Sequence, residues 1–424
     1  MKWSCIASTF CWPRSGRPFD PTRKDSSEAG RKVNVGITLK GLTWDHPRGY
    51  APLFGGAPEY EKQHPEIKIH WDRRTLREFG EAPIEQYLHR YDLLIVDHPF
   101  VGFAAAHGAL VDLAPSISEA DQLRFAADSV GPSWESYWYG GGLWAFPIDA
   151  ATQVASYRPD LLLALSHTVP NTFDGVLELG KKARKAGKYI VVPACPTDAI
   201  SLFFTLSANL GYPIPEEREL FVDDSVAAEV LDRFHALIAL AHPRSVEWNP
   251  IQVYDFMISD SGAVYCPYGF GYSNYSRVGN SVRLKFANAP ATGQRGCAGT
   301  MLGGTGVAIS KLSAHQSEAI AYAKWLVSPE HQRGTYFREG GQPASLAAWT
   351  DSSVNDAADD FFSGTLQTLQ TAYLRPRFDG FVRFFEAAGI EINRCLRGDV
   401  KDGALIRWLN EHYATQRVAA RRIA

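Results

Sequence analysis

The 424-residue chain has no apolar run that reaches the ~18 residues of a membrane-crossing helix. It has no strong charge bias, with a formal net charge of −3. Nucleic acid is not an expected partner, because its phosphate backbone selects a concentrated positive charge, and no polybasic stretch argues for a membrane surface. Six cysteines occur, at 5, 11, 195, 266, 297 and 395. None forms a CxxC pair and no His/Cys cluster has zinc spacing, so they read as scattered thiols and no metal site is expected. They leave the compartment open. The chain also lacks the GxxxxGK[ST] phosphate loop, the GxSxG elbow, the HExxH helix and the EF-hand loop. No cofactor and no catalytic residue is expected, and the reading is of a non-enzyme. No internal repeat is visible.

What is present is length and aromatic side chains. Single cores stop growing near ~250–300 residues, so a chain this long is expected to fold as two lobes. Aromatic residues make up 12% of the chain, with 11 Trp. Flat rings beyond the needs of a core often line ligand clefts, because they cover area at little entropic cost. Residues 1–32 read as a disordered or leader-like segment. Residues 1–12 carry one Lys and some apolar residues, but Pro13, Arg14 and Arg17 break the run early, which is no clear export signal.

Order is expected from Lys32. Val33, Val35, Ile37 and Leu39 alternate as a strand, followed by a polar and aromatic loop over 41–50 and a helix over about 52–63. Ile67, Ile69 and Trp71 give a second strand. The continuous run Leu93–Val96 gives a third, buried on both faces. The β-α-β-α-β order predicts a doubly wound α/β lobe, with ligands outside the carboxyl ends of the strands. The second lobe is expected to hold a helix after Asn171-Thr172, with Val176, Leu179, Gly180 and Ala183 on one face. It should also hold strands at 189–193 and 263–266, the latter closed by Pro267, and helices near 199–210 and 224–240. The glycine-rich stretch 299–306 precedes a strand at 307–309. Ser313 and Gln316 are spaced as a capping box, and 353–418 reads as mostly helical.

Seven segments in order resemble the extracellular solute-binding proteins of ABC importers, the family that includes maltose-binding protein. They are Tyr91–Asp97, Gly108–Leu113, Gly142–Asp149 with Gln153 and Tyr157, Val169–Asp174, Gly303–Ser310, Ala323–Glu330 and Leu374–Arg377. The resemblance covers about 34–416. It implies a two-lobed periplasmic-binding-protein-like α/β fold of type II, with the ligand cleft between the lobes. It implies a first lobe of 33–148 plus 298–345 and a second of 149–297 plus 346–424. It also implies hinge closure, delivery of a small solute to membrane permease subunits, a periplasmic or extracellular location and a monomer. The family's main habit is a sugar or polyol. Members often carry Trp where Thr305 stands here.

Candidate ligand-binding residues follow from the strand ends. Asp97 and His98 close the buried third strand, and a carboxylate there can accept two hydroxyl hydrogen bonds. Trp44, Asp45 and His46 follow the first strand, where an indole beside an acid suits a sugar. Trp144 and Asp149 flank the expected first crossing. Tyr268, Gly269 and Tyr272 follow the 263–266 strand, with Tyr275 beyond them, and Trp248 precedes a helix. Gly303 and Gly304 can offer backbone N–H groups at close approach. Arg375 and Arg377 flank Pro376. With His46 and Arg48, Arg375 keeps a small carboxylate open as the solute. A ligand-sensing subunit that reports to a receptor uses the same closing lobes. A carbohydrate-active hydrolase would need two carboxylates at defined spacing, and nothing places them.

Overall fold

The computed structural model describes residues 36–421 apart from Ser261. The leader-like reading of 1–32, and Val33 and Val35 of the first expected strand, lie outside the described residues.

The alternation at Ile37 and Leu39 does become strand β1, Ile37–Trp44, but it runs on through the expected loop. Leu42, Thr43 and Trp44 are buried, so this end of the strand is a core element. It pairs along its length, in parallel, with β2, Ile67–Arg74, and on its other edge with β3, Leu93–Val96. The loop shrinks to Asp45 and His46, because Pro47 opens the next helix, Pro47–Gln63, several residues early. Proline suits a first helical position, where its missing N–H has no partner to lose.

The remaining strands are the hairpin β4 Trp138–Tyr139 and β5 Gly142–Leu143, then β6 Phe146–Tyr157, β7 Tyr189–Ile190, β8 Ala263–Phe270, β9 Lys285–Ala287 and β10 Leu302–Ile309. Seven of them hydrogen-bond in the order β2-β1-β3-β10-β6-β8-β7, and β9 also pairs with β6. The long strand β6 joins the two halves. Its first residues pair with β10, and its last with β8 and β9. A register shift at Thr305/Gly306 marks where β10 changes its alignment along β6. Gly304 sits beside it at φ +101°, where an added Cβ would lie 2.3 Å from the Asp149 carbonyl oxygen. Only glycine fits both the torsion and the approach.

Two apolar cores flank the sheet. One is built from β1, β2, β3, the start of β6, the end of β10 and the Gln316–Leu326 helix, with Ala319, Tyr322, Ala323 and Leu326 inward as expected. The other packs the helices Phe173–Lys185, Pro196–Leu210, Asp224–Leu240, Phe381–Leu396 and Asp402–Arg421. A third, smaller cluster bridges them, combining Ala150 and Leu302 with Trp248, Tyr254 and Trp349. The helical reading of the C-terminal region holds. The Phe173–Lys185 helix buries the four expected residues.

Three local expectations are corrected. The strand at 189–193 is shortened to Tyr189–Ile190: Val191 N–H still bonds the Tyr265 carbonyl, but Val192 N–H turns to the Ser245 hydroxyl and Pro193 has no N–H to offer. The strand from Ala263 does not stop at Pro267 but continues to Phe270, because its partner β6 extends that far. Ser313 and Gln316 do not form a capping box. Ser313 Oγ bonds the Asp92 carboxylate at 2.6 Å, and the Gln316 amide donates to the Lys311 carbonyl. Among the described residues, no helix is long and apolar enough to cross a membrane.

Candidate functional site

The strand ends open onto a cavity of about 390 Å³. Trp44 closes β1 and presents its indole to the cavity while its bulk stays in the core, packed against Phe79 at 5.1 Å. Asp97 follows β3, Asp149 lies in β6, and Gly303, Gly304 and Thr305 come from β10. The opposite wall is Cys195, Thr197, Asp198 and Ser201 at the start of the Pro196–Leu210 helix, with Asn249, Phe270, Tyr272, Arg375, Phe381 and Phe385. Rings and aliphatic groups form most of the surface, with a few convergent polar groups, as small-molecule sites require.

Two ion pairs set the electrostatics. Arg48 donates Nε to Asp149 Oδ2 at 2.8 Å and Nη2 to Asp149 Oδ1 at 2.5 Å, with both side chains buried. Its third nitrogen donates to the Gly271 carbonyl at 2.9 Å, and the guanidinium lies over the Tyr272 ring at 4.6 Å. Burial opposes the charge on Arg48, but Asp149 outweighs it and holds Arg48 protonated. Arg375 donates to Asp97 Oδ2 at 2.5 Å and approaches His98 Nε2 at 3.3 Å. Burial works against ionised Asp97 too, yet the Arg375 guanidinium and His98 hold its carboxyl well below the usual carboxylate range. Asp97 keeps 27% of its side chain exposed, so it retains acceptor capacity toward the cavity. Asp198 behaves oppositely. Burial raises it to about 7, with only the Cys195 thiol hydrogen bond pulling it down.

Of the sequence-derived candidates, Trp44, Asp97, Asp149, Tyr272, Gly303, Gly304 and Arg375 line one cavity. The others are placed elsewhere, each for a physical reason. Asp45 is exposed and paired with Arg73 at 3.0 Å. His46 is the cap of the Pro47–Gln63 helix, its Nδ1 accepting from Arg48 N–H, and its ring meets Tyr272 edge-on. Burial and Arg48 hold it neutral, down to about 4. His98 lies behind Asp97, 1% exposed, likewise pushed down to about 4 by burial. Trp144 donates its indole N–H to the Tyr139 carbonyl, in the β4–β5 hairpin. Trp248 stacks on His242 in the smaller bridging cluster, with ring centroids 4.8 Å apart. Tyr268 is fully buried within β8 and donates to the Pro290 carbonyl. Gly269, beside it, packs under the Tyr254 hydroxyl. Tyr275 donates to Asp255, and Arg377 binds the carbonyls of Glu135, Ser136 and Trp138.

Sequence reasoning did not reach Thr197, Asp198, Ser201, Asn249, Phe381 or Phe385. Asp198 follows a strand and opens a helix, which is the same strand-end signal that located Asp97. The Asn249-Pro-x-Gln252 capping box was also legible, and it fixes Asn249 at the cavity wall. The phenylalanines carried no such signal, because a buried ring and a cleft ring look alike in sequence.

A joined pair of α/β lobes with an aromatic, ion-paired cavity along their strand ends is the architecture of a two-lobed binding protein. The chain belongs to the bacterial extracellular solute-binding protein family, whose profile matches residues 44–333. Solved structures agree on the fold. Maltose-bound MalE3 of T. maritima has a TM-score of 0.77 at 18% identity, covering 90% of this chain and 100% of that one. An ABC transporter solute-binding protein of Agrobacterium radiobacter K84, in complex with ribitol, has a TM-score of 0.76 at 20% identity, covering 93% and 100%. One from Thermotoga lettingae TMO, bound with alpha-D-tagatose, has a TM-score of 0.75 at 15% identity, covering 90% and 100%. No curated protein matches the chain in sequence.

Proposed function

We propose that this protein captures one neutral sugar or polyol in the Trp44–Asp97–Phe385 cavity and delivers it to the membrane permease subunits of an ABC importer. The observation that carries the neutral solute is the pairing of charge. Both guanidiniums in the wall are engaged by carboxylates, Arg48 by Asp149 and Arg375 by Asp97. His46 and His98 are held neutral. A carboxylate solute would have to displace a buried pair. A hydroxylated solute only needs acceptors and donors, and Asp97, Thr197, Ser201, Asn249 and Thr305 line the cavity. Thr305 Oγ1 is buried without a hydrogen-bond partner. Such a group costs free energy unless a ligand satisfies it. The volume sits at the small end of the ~300–1,000 Å³ typical of ligand sites, which fits a small solute.

The lobes of this reading are 33–148 plus 298–345 and 149–297 plus 346–424, working as a monomer outside the cytoplasmic membrane. Solute docks on one lobe and the other closes, bending β6, which crosses between the lobes, near Asp149, where its pairing with β10 shifts register. Closure removes water and rewards only solutes that satisfy every buried polar group. A thermal-shift panel of sugars, polyols, sugar acids, amino acids and small carboxylates tests this directly. A solute at ~100 times its dissociation constant adds about 2.7 kcal/mol to the native state. A shift with a neutral sugar or polyol, which is recovered unchanged, supports the reading. A shift with acids alone, or turnover of the hit, overturns it.

A further inference from the structure

Three chemically distinct donors meet far from the cavity. His235 comes from the Asp224–Leu240 helix, Cys395 from the last turn of the Phe381–Leu396 helix, and Asp402 opens the Asp402–Arg421 helix. His235 Nε2 lies 3.0 Å from Asp402 Oδ1, and Cys395 Sγ lies 3.1 Å from the same oxygen. One donor atom from each residue falls within 4.8 Å of the other two. In the chain they stand at 235, 395 and 402, so no ligand spacing appears in the sequence.

We propose that His235, Cys395 and Asp402 form a zinc-class metal site that clamps these three helices. Tetrahedral zinc, with bonds of about 2.0–2.3 Å to N, O and S, sets neighbouring donors about 3.3–3.5 Å apart. The two short contacts need only open by a few tenths of an ångström, while the thiol and imidazole close toward each other. Cysteine and histidine together select a borderline-soft ion over magnesium or calcium, which take oxygen. Binding breaks the Cys395 S–H···O contact and releases the thiol proton to solvent as the sulfur becomes a thiolate ligand. Cys395 is buried, whereas the side chains of His235 and Asp402 are 39% and 43% exposed. Solvent therefore reaches the site, which provides an entry path and a water for the fourth position. The ion anchors the end of the Phe381–Leu396 helix remote from the solute. Phe385 at the cavity and Cys395 are ten residues apart, about 15 Å along the helix. The clamp fixes the angle at which that helix presents Phe381 and Phe385 without touching the solute.

The test uses the full-length, chelator-treated protein and the metal alone. Zinc should bind at one equivalent and raise the melting temperature, while magnesium does neither. Cobalt substituted at the site should show a thiolate charge-transfer band and tetrahedral d–d bands. Cys395→Ser should abolish the charge-transfer band, and either Cys395→Ser or His235→Gln should weaken binding by at least about tenfold. A Cys5→Ser/Cys11→Ser variant should bind as the parent does. Absence of saturable one-equivalent binding, a cobalt spectrum without the thiolate band, or undiminished affinity in Cys395→Ser and His235→Gln overturns the assignment. If a variant fails to fold, the cobalt spectrum of the parent decides.

Discussion

Asp97→Asn separates the charge argument from the fold. Asp97 Oδ2 faces Arg375 at 2.5 Å, and Oδ1 accepts the His98 N–H at 2.8 Å. Asparagine can keep only one of these. With its oxygen on His98, its amide N–H₂ confronts the guanidinium. Arg375, 5% exposed in its side chain, then stands buried without a counter-charge. Removing one partner of a buried pair costs about 3–5 kcal/mol, and the partial exposure of Asp97 points to the low end, about 3. Urea denaturation should report that loss. Solute binding should fall separately. A hydroxyl bond to an ionised acceptor is worth about 1.5–3 kcal/mol, which is about a tenfold to hundredfold loss of affinity for the neutral solute. The freed guanidinium should at the same time admit sugar acids that the parent rejects. Calorimetric titration of both solute classes into the folded variant is the assay. Adding Arg375→Gln should restore most of the stability, because deleting both charges is nearly neutral, but not the affinity. A folded Asp97→Asn protein that binds the neutral solute within about twofold of the parent, with no gain for acids, would refute the reasoning that Asp97 is the key acceptor.

Arg48→Met should destabilise by about 3–5 kcal/mol in urea, since Asp149 is left fully buried and unpaired. Arg48→Lys should rescue little, because one ammonium cannot reproduce the two-pronged contact. Gly304→Ala should cost at least about 2 kcal/mol from the left-handed torsion and the clash with the Asp149 carbonyl, and should weaken solute binding in the same calorimetric titration. Tyr268→Phe should cost about 1 kcal/mol for the lost bond to Pro290, with solute affinity unchanged, if Tyr268 is purely a core residue. Stability should rise with pH between about 4 and about 6.5. His46, His98 and His331 are held down to about 4 by burial, so as pH falls through that window the unfolded chain takes protons that the native state refuses. Asp198, raised to about 7, acts the other way: its contribution is present at low pH and is lost as pH rises toward 7. Asp149, also raised by burial, acts with Asp198, and His242 and His412, lowered by burial, act with the other histidines. Five imidazoles outweigh two acids, so urea midpoints that fall with rising pH across this window would contradict the assignment.

Much of the site was legible because strand ends are legible. The apolar run Leu93–Val96 stops at Asp97, and that stop is the cavity edge. The same rule applied to β8 placed Tyr268 at a strand end, because Pro267 was read as a terminator. The strand passes through Pro267, and the true end is Phe270, which does line the cavity beside Tyr272. Trp44 was read as a loop residue and is the last residue of a strand, so it serves the core and the cavity together.

The sequence by itself determined the α/β class, the order of most elements and the family, because hydrophobic periodicity and strand-end polarity are local properties of the chain. Only the tertiary structure decided which charges meet. Arg48 and Asp149 lie about a hundred residues apart, Asp97 and Arg375 nearly three hundred, and His235 and Asp402 more than one hundred and sixty. Their pairing depends on how β6 and β10 are shared between the halves of the sheet and how the C-terminal helices pack. No local pattern encodes such distances. The same long-range packing pairs Arg48 and Arg375, which in sequence left a small carboxylate open beside the sugar or polyol reading, with Asp149 and Asp97.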